Sequence, residues 1–341
     1  MSNPFQFALS FADYLLSRKL KHMIVHVTNH CNFRCRHCFV DFDKKKDLPL
    51  EFYEQLARDV GDLFWLDIGG GEPFLRKDLH KIIASFNARV VHIPSNGSLP
   101  DLMVEQLGEI KRNNDAEIVI GLSLDGLRDM HDLIRGTEGN WDQVWGTYEK
   151  LRALGGLSIK ITTVINTLNY DEILPLMDEV KQRGVDFHSV ILMRGAPLDP
   201  TMTLPDLEAL RKIGPPIFER LEKYDYGRSP LSAYLLRNFH RLLWNTSLDT
   251  IDQETQIIPC LAGQSHAVVM GDGGLSSCEM LPAVGNLRTH GLNEILASAA
   301  FREQVEDIRN KKCHCTHNCA MLASIFFNPK NFPKLIHQKV T

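Results

Sequence analysis

Strand-like and helix-like runs alternate six times over residues 22–195, and this alternation limits the fold of the chain more than any other feature. Runs rich in β-formers cover 22–28, 64–68, 90–93, 117–124, 158–165 and 187–193. Between them, 50–63, 79–86, 101–111, 141–154 and 171–183 carry helical periodicity. Such a chain forms a parallel sheet with helical crossovers, as an open doubly wound sheet or a partial barrel. The strand-like runs after the first stop at polar or glycine residues: Gly69-Gly70-Gly71, Ser95-Asn96-Gly97, Asp125-Gly126, Asn166 and Arg194-Gly195. Turn formation alone explains any one of these loops. Five in register point to a ligand site, because parallel sheets bind ligands at the carboxyl ends of their strands.

Beyond Gly195 the pattern changes. Five prolines (Pro197, Pro200, Pro205, Pro215 and Pro216) punctuate a stretch with expected helices at 204–213 and 231–244. The expected organisation is an N-terminal segment (1–21), a barrel (22–197), a helical connection (198–256) and a C-terminal region (257–341). With 38 basic and 42 acidic residues the net charge is −4, which gives no reason to expect a nucleic-acid partner. No run approaches the roughly 18 apolar residues that span a bilayer, and the first residues lack a signal-peptide pattern. A cytoplasmic location is therefore expected. There, the eight cysteines read as metal ligands or redox groups rather than disulfides, since 341 residues can bury a core without staples.

Cys31, Cys35 and Cys38 follow the first strand with the spacing C-x3-C-x2-C. Thiolates favour iron–sulfur clusters and zinc. Three on one loop can hold three irons of a cubane and leave the fourth iron open. A structural zinc is the alternative, with His30 or His37 as fourth ligand.

The cysteine spacing after the first strand of a six-fold βα repeat resembles the radical S-adenosylmethionine (radical SAM) enzymes. The resemblance implies an α/β fold, a partial (β/α)6 TIM-like barrel, with a 4Fe–4S cluster on Cys31, Cys35 and Cys38. Gly69, Gly70, Gly71, Glu72 and Pro73 resemble the family's GGEP loop, which contacts the methionine amino group of SAM. Ser95 and Asn96 stand in the place of its TNG segment, and Ser123 and Asp125 in that of the segment near the ribose. His131-Asp132 and Arg135-Gly136 continue that segment as in the family. His37 takes the place of the aromatic residue before the third cysteine and is the expected adenine contact. Asn166 falls where the family borders SAM, and Arg194 is expected to bind the SAM carboxylate or substrate, or else to form a salt bridge.

Cys260, Cys278, Cys313, Cys315 and Cys319 lie outside the barrel repeats. With the Gly271-Asp272-Gly273-Gly274 turn and a helical run at 292–309, they resemble the auxiliary-cluster extension called SPASM, or its shorter twitch form, a β-hairpin plus helix. The resemblance implies one auxiliary 4Fe–4S cluster on Cys260, Cys278, Cys319 and either Cys313 or Cys315. The remaining one of Cys313 and Cys315 is then a spare thiol, either idle or a reactive hydrogen-atom donor.

The chemistry so implied is reductive cleavage of SAM, bound at the open iron, to a 5′-deoxyadenosyl radical. That radical abstracts hydrogen from a substrate carbon, which is then oxidised or rearranged. An electron donor such as flavodoxin or ferredoxin is the expected partner. A ribosomally made peptide is the expected substrate, although only about twenty residues precede the first strand and no separate leader-binding domain is expected. A sugar, nucleoside or lipid precursor is the alternative. A non-catalytic zinc or iron–sulfur scaffold is the alternative from a different class.

Overall fold

Strand β1 (His22–Thr28) is buried along its whole length. Its HMIVHVT sequence places β-branched residues on both faces, as a strand covered on two sides requires. The computed structural model describes residues 4–17, 19–40, 42, 46–224, 226, 229–336 and 338–340, without the side chains of 4–10. From β1 the chain builds β2 (Leu63–Gly70), β3 (Ala88–Ser95), β4 (Glu117–Ser123), β5 (Ser158–Ile165) and β6 (Phe187–Leu192). Each pairs in parallel with the strand before it.

The sheet does not close. Strands β7 (His266–Val269), β8 (Gly274–Ser276) and β9 (Gly285–Asn286) continue it on the far side of β1, in the order β6-β5-β4-β3-β2-β1-β7-β8-β9. β7 runs parallel to β1, with His266 opposite His22, and the expected hairpin then turns back through Gly273 at φ +88°. That conformation suits glycine. The C-terminal hairpin is thus the continuation of the barrel's own sheet.

Crossover helices at Leu50–Val60, Leu79–Ser85, Pro100–Asn113, Asn140–Leu154 and Ile173–Gln182 cover the outer face. Their apolar stripes meet Leu66, Ile68, Ile93, Ile120 and Ile161 in one core. The helix expected to end at 213 instead runs Leu207–Leu221 through Pro215 and Pro216. Leu210, Ile213, Ile217, Phe218 and Leu221 pack with Trp244 and Leu248. Burying five such side chains, each worth about 1.5–3 kcal/mol, outweighs the cost of two interior prolines at roughly 3 kcal/mol each. The helical run at 292–309 splits into Leu292–Leu296 and Ala299–Arg309, where Ser298 caps the second helix by accepting from Phe301 N at 3.1 Å. None of the described helices is long and apolar enough to cross a membrane.

The inner face of the sheet carries polar groups among apolar ones. Asp67, His92, Ser123, Lys160, Thr162 and Ser189 line a cavity of about 310 Å3 inside the curved sheet. Their period-two spacing along the strands puts them all on the side away from the helices.

Candidate active site and auxiliary cysteine site

Three segments clasp the cysteine loop after β1. From the loop after β2, Gly71 N donates to Thr28 O at 2.8 Å and Glu72 N to His30 O at 2.9 Å. A Cβ on Gly71 would lie 2.0 Å from His30 O, and one on Gly70 2.1 Å from Thr28 O. The glycine run therefore exists first for contact between two loops. On the opposite side, Arg36 N donates to Ile134 O at 2.9 Å, from the end of a helix at Arg128–Arg135 where the sequence showed no helical run. The chain after β6 completes the clasp, as Leu198 N donates to Cys38 O and Asp199 N to Arg36 O, both at 2.8 Å.

Glu72 is 2% exposed and ties the loop after β2 to the end of β3. Its carboxylate accepts from Phe74 N at 3.3 Å, Ser95 Oγ at 2.9 Å and Asn96 N at 2.8 Å. Asn96 Nδ2 in turn donates to Asn32 Oδ1 at 2.9 Å, inside the cysteine loop. Burial pushes the Glu72 carboxyl up to about 7, against the pull of these donors. The folded chain therefore binds the Glu72 proton more tightly than the unfolded chain. Stability of the ligand-free protein should fall by on the order of 3 kcal/mol as pH rises from about 4.5 to 7, and level off above. Urea unfolding across that range checks this. Glu72→Gln should remove this contribution to the slope, and an unchanged slope in the variant counts against it.

At the end of β4, Asp125 is fully buried and faces Arg135, with Nη2 2.6 Å from Oδ2. Nη1 of Arg135 lies 3.6 Å from Cys35 Sγ, so one guanidinium joins a strand end to a candidate ligand thiol. Asp125 Oδ1 accepts from Val164 N at 2.8 Å, and His37 Nε2 stands 3.8 Å from Oδ2. Burial holds His37 down to about 4, so the ring is neutral and suited to stacking. Asn166 turns the end of β5, accepting from Leu168 N at 2.9 Å. Arg194 lies over the Phe39 ring at 5.0 Å and reaches Glu279 at 3.8 Å, while its buried Nε has no partner among the described residues. Asp125→Ala would strand the Arg135 charge, and we expect it to cost about 3–5 kcal/mol in urea unfolding. A loss below 1 kcal/mol would show that water already screens the pair.

The C-terminal cysteines divide in a way the spacing did not reveal. Cys260, Cys278, Cys313 and Cys315 line one cavity of about 200 Å3. Gln256 holds two of its walls together. Its Nε2 donates to Ile308 O at 2.8 Å and Cys313 O at 2.9 Å, and its Oε1 accepts from Cys260 N at 3.1 Å. Cys319 instead begins the helix Asn318–Phe326 and lines the barrel cavity together with Lys160, Arg194 and Glu279. Both Cys313 and Cys315 thus border the cysteine-lined cavity, and the thiol set apart is Cys319.

Burial raises the thiols of Cys31 and Cys260 to about 11 and that of Cys278 to about 12. In the metal-free chain they are protonated at neutral pH, and loading a metal must expel those protons. Among the described residues, no three His, Cys, Asp or Glu side chains converge as a single-ion site does.

Residues 25–180 match the family model of the Radical SAM superfamily, and residues 260–320 match SPASM, an iron–sulfur cluster-binding domain. The chain carries a radical SAM domain followed by a SPASM domain. These two domains imply a 4Fe–4S cluster, SAM and an auxiliary iron–sulfur cluster. Among curated relatives, GTP 3′,8-cyclase of Helicobacter pylori is 32% identical over 52% of this chain and 57% of its own length. Fe-coproporphyrin III synthase of Methanosarcina barkeri is 28% identical over 53% of this chain and 47% of its own. The chain spans about half the length of the curated relatives it matches. Streptococcus suis SuiB bound to precursor peptide SuiA superposes with a TM-score of 0.64 at 17% identity, over 89% of this chain and 72% of SuiB. The anSMEcpe structure with bound AdoMet gives 0.61 at 16%, over 92% of this chain and 97% of that one. At these identities the likeness shows the fold: a mostly parallel, unclosed sheet forming a partial barrel.

Several groups at this radical SAM site escaped the sequence reading. Asp67 sits between His22 Nε2 at 2.8 Å and His92 Nδ1 at 2.7 Å. Glu279 sits between His26 Nε2 at 2.8 Å and His317 Nε2 at 2.6 Å. Flanking imidazoles hold both carboxyls below the usual range despite burial. The signal was available in part: His22 and His26 on β1, and Lys160 and Thr162 on β5, interrupt apolar strands at period two. Glu279 and His317 lie in loops, where no periodicity marks them.

Proposed function

We propose that the chain is an enzyme that cleaves SAM reductively and uses the 5′-deoxyadenosyl radical to remove hydrogen from a substrate carbon inside the barrel. One observation carries this reading. The barrel cavity reaches the carboxyl ends of the strands, where Gly69, Ser123 and Arg194 line it beside the cysteine loop. When bound, the cluster on Cys31, Cys35 and Cys38 supplies the electron for that cleavage. The chain's own residues orient SAM: Glu72 takes its ammonium, Arg194 its carboxylate, Ser123 and Asp125 face the ribose, and His37 the adenine. Gly69, Gly70, Gly71, Pro73, Ser95, Asn96 and Asn166 shape the surrounding strand ends. The sheet walls keep water from the reacting carbon.

The four thiols of Cys260, Cys278, Cys313 and Cys315 make a complete ligand set for the auxiliary cluster. A complete set leaves no iron free for substrate and suits electron transfer from the substrate radical. Such chemistry belongs with a flavodoxin- or ferredoxin-type donor in the reducing cytoplasm.

The cavity favours a small molecule as substrate. Its volume of about 310 Å3 matches small-ligand sites, and its wall combines aromatic side chains with a few polar groups. A second reading is a peptide substrate with one side chain entering the cavity, motivated by the precursor peptide SuiA bound to SuiB. Anaerobic reconstitution with iron and sulfide, then SAM and dithionite, should yield 5′-deoxyadenosine. Protein that binds zinc and never iron would overturn the proposal.

A further inference from the structure

Inside the barrel, three polar groups converge where β4 lacks a side chain. A Cβ on Gly121 would lie 2.8 Å from His92 Nε2, 3.3 Å from Lys160 Cε and 3.4 Å from Thr162 Oγ1. Register explains the convergence: Gly121 is opposite Pro94 on β3 and Lys160 on β5, and His92 and Thr162 are each two residues along the same inner face. All but the glycine line the cavity.

The groups around this niche are unevenly paired. Asp67 is fully engaged, since Oδ1 takes His92 Nδ1 at 2.7 Å and Trp65 Nε1 at 3.3 Å, and Oδ2 takes His22 Nε2 at 2.8 Å. Lys160 has no hydrogen bond or ion pair among the described residues, although Asp67 and Cys319 are near enough to act on its charge. Lys160 is half-buried in the cavity wall, and an anion in the cavity gives its ammonium the partner that the described residues do not supply. His92 Nε2 is buried and also without a partner. With Nδ1–H donated to the ionised Asp67, a neutral His92 ring offers a lone pair at Nε2. The niche therefore presents one cation, one proton acceptor and one hydroxyl.

We infer that this niche is a substrate subsite for a hydroxylated anion. An anionic oxygen, of a carboxylate or a phosphate, pairs with Lys160. A neighbouring hydroxyl donates to His92 Nε2, and Thr162 Oγ1 serves either. The missing Cβ of Gly121 lets the His92 and Lys160 side chains close over β4 side by side. The inference rests on the proposed function in that the cavity receives the substrate, and it narrows that substrate to compounds such as sugar acids and phosphorylated polyols.

Calorimetric titration of the cluster-loaded protein tests it with D-gluconate, D-glucose 6-phosphate and neutral D-glucose. At least one charged probe should bind, and the two arms tell carboxylate from phosphate; glucose should not bind. Lys160→Met should weaken the bound probe by about 10-fold or more, the worth of a charge-assisted contact. Gly121→Ala should also weaken binding, because its Cβ would push His92 and Lys160 aside, with circular dichroism confirming that each variant is folded. Three results overturn the subsite: neither charged probe binds, binding is the same in both variants as in the parent, or Lys160→Met weakens SAM as much as the probe. The two claims fail separately. Lys160-dependent binding by a protein that never cleaves SAM sinks the enzymatic reading alone. SAM cleavage with no probe binding sinks the subsite alone.

Discussion

Replacing Cys31, Cys35 and Cys38 together by Ala is expected to reduce 5′-deoxyadenosine formation to background, a loss of about 10^6-fold or more. The reason is geometric. All three thiols sit on one loop held by the β2 loop, the helix Arg128–Arg135 and the segment 198–199. The clasp is made mostly of backbone hydrogen bonds, so the variant should still fold. Iron should fall from about eight to about four per chain, the content of one cubane. A triple variant that still cleaves SAM would place the reactive cluster elsewhere.

The second large effect separates the five C-terminal cysteines. Ala at Cys260, Cys278, Cys313 or Cys315 should cost about four irons per chain, whereas Cys319→Ala should keep about eight. The basis is that the first four share one cavity while Cys319 faces Lys160 and Arg194 in the barrel. SAM cleavage should survive Cys278→Ala better than substrate turnover does. Anaerobic alkylation of the cluster-loaded protein with iodoacetamide, followed by peptide mapping, should label Cys319 ahead of the other seven. Loss of iron in Cys319→Ala with none in Cys315→Ala would restore the set that the resemblance to SPASM implied.

The barrel strands were legible because periodicity is a local property. The run at 158–165 became β5 with the same limits, and 187–193 became β6 to within one residue. Elements marked by contacts rather than periodicity were not legible. The helix Arg128–Arg135 is short and charged, and its place is set by Ile134 and Arg135 meeting the cysteine loop. The helix through Pro215 and Pro216 persists because its stripe is buried against Trp244, about thirty residues further along the chain.

By itself the sequence determined the family, the parallel sheet and the division of eight cysteines into three and five. Thiol spacing and glycine loops are short-range patterns that a chain carries before it folds. Only the tertiary structure decided how the five divide, what occupies the barrel interior and why the glycines are there. Cys315 and Cys319 are four residues apart, yet a helix start between them turns one toward the auxiliary cavity and the other into the barrel. The same holds for the niche at Gly121. His92, Lys160 and Thr162 come from strands separated by crossover helices, and parallel pairing across β4 is what brings them within reach of one another.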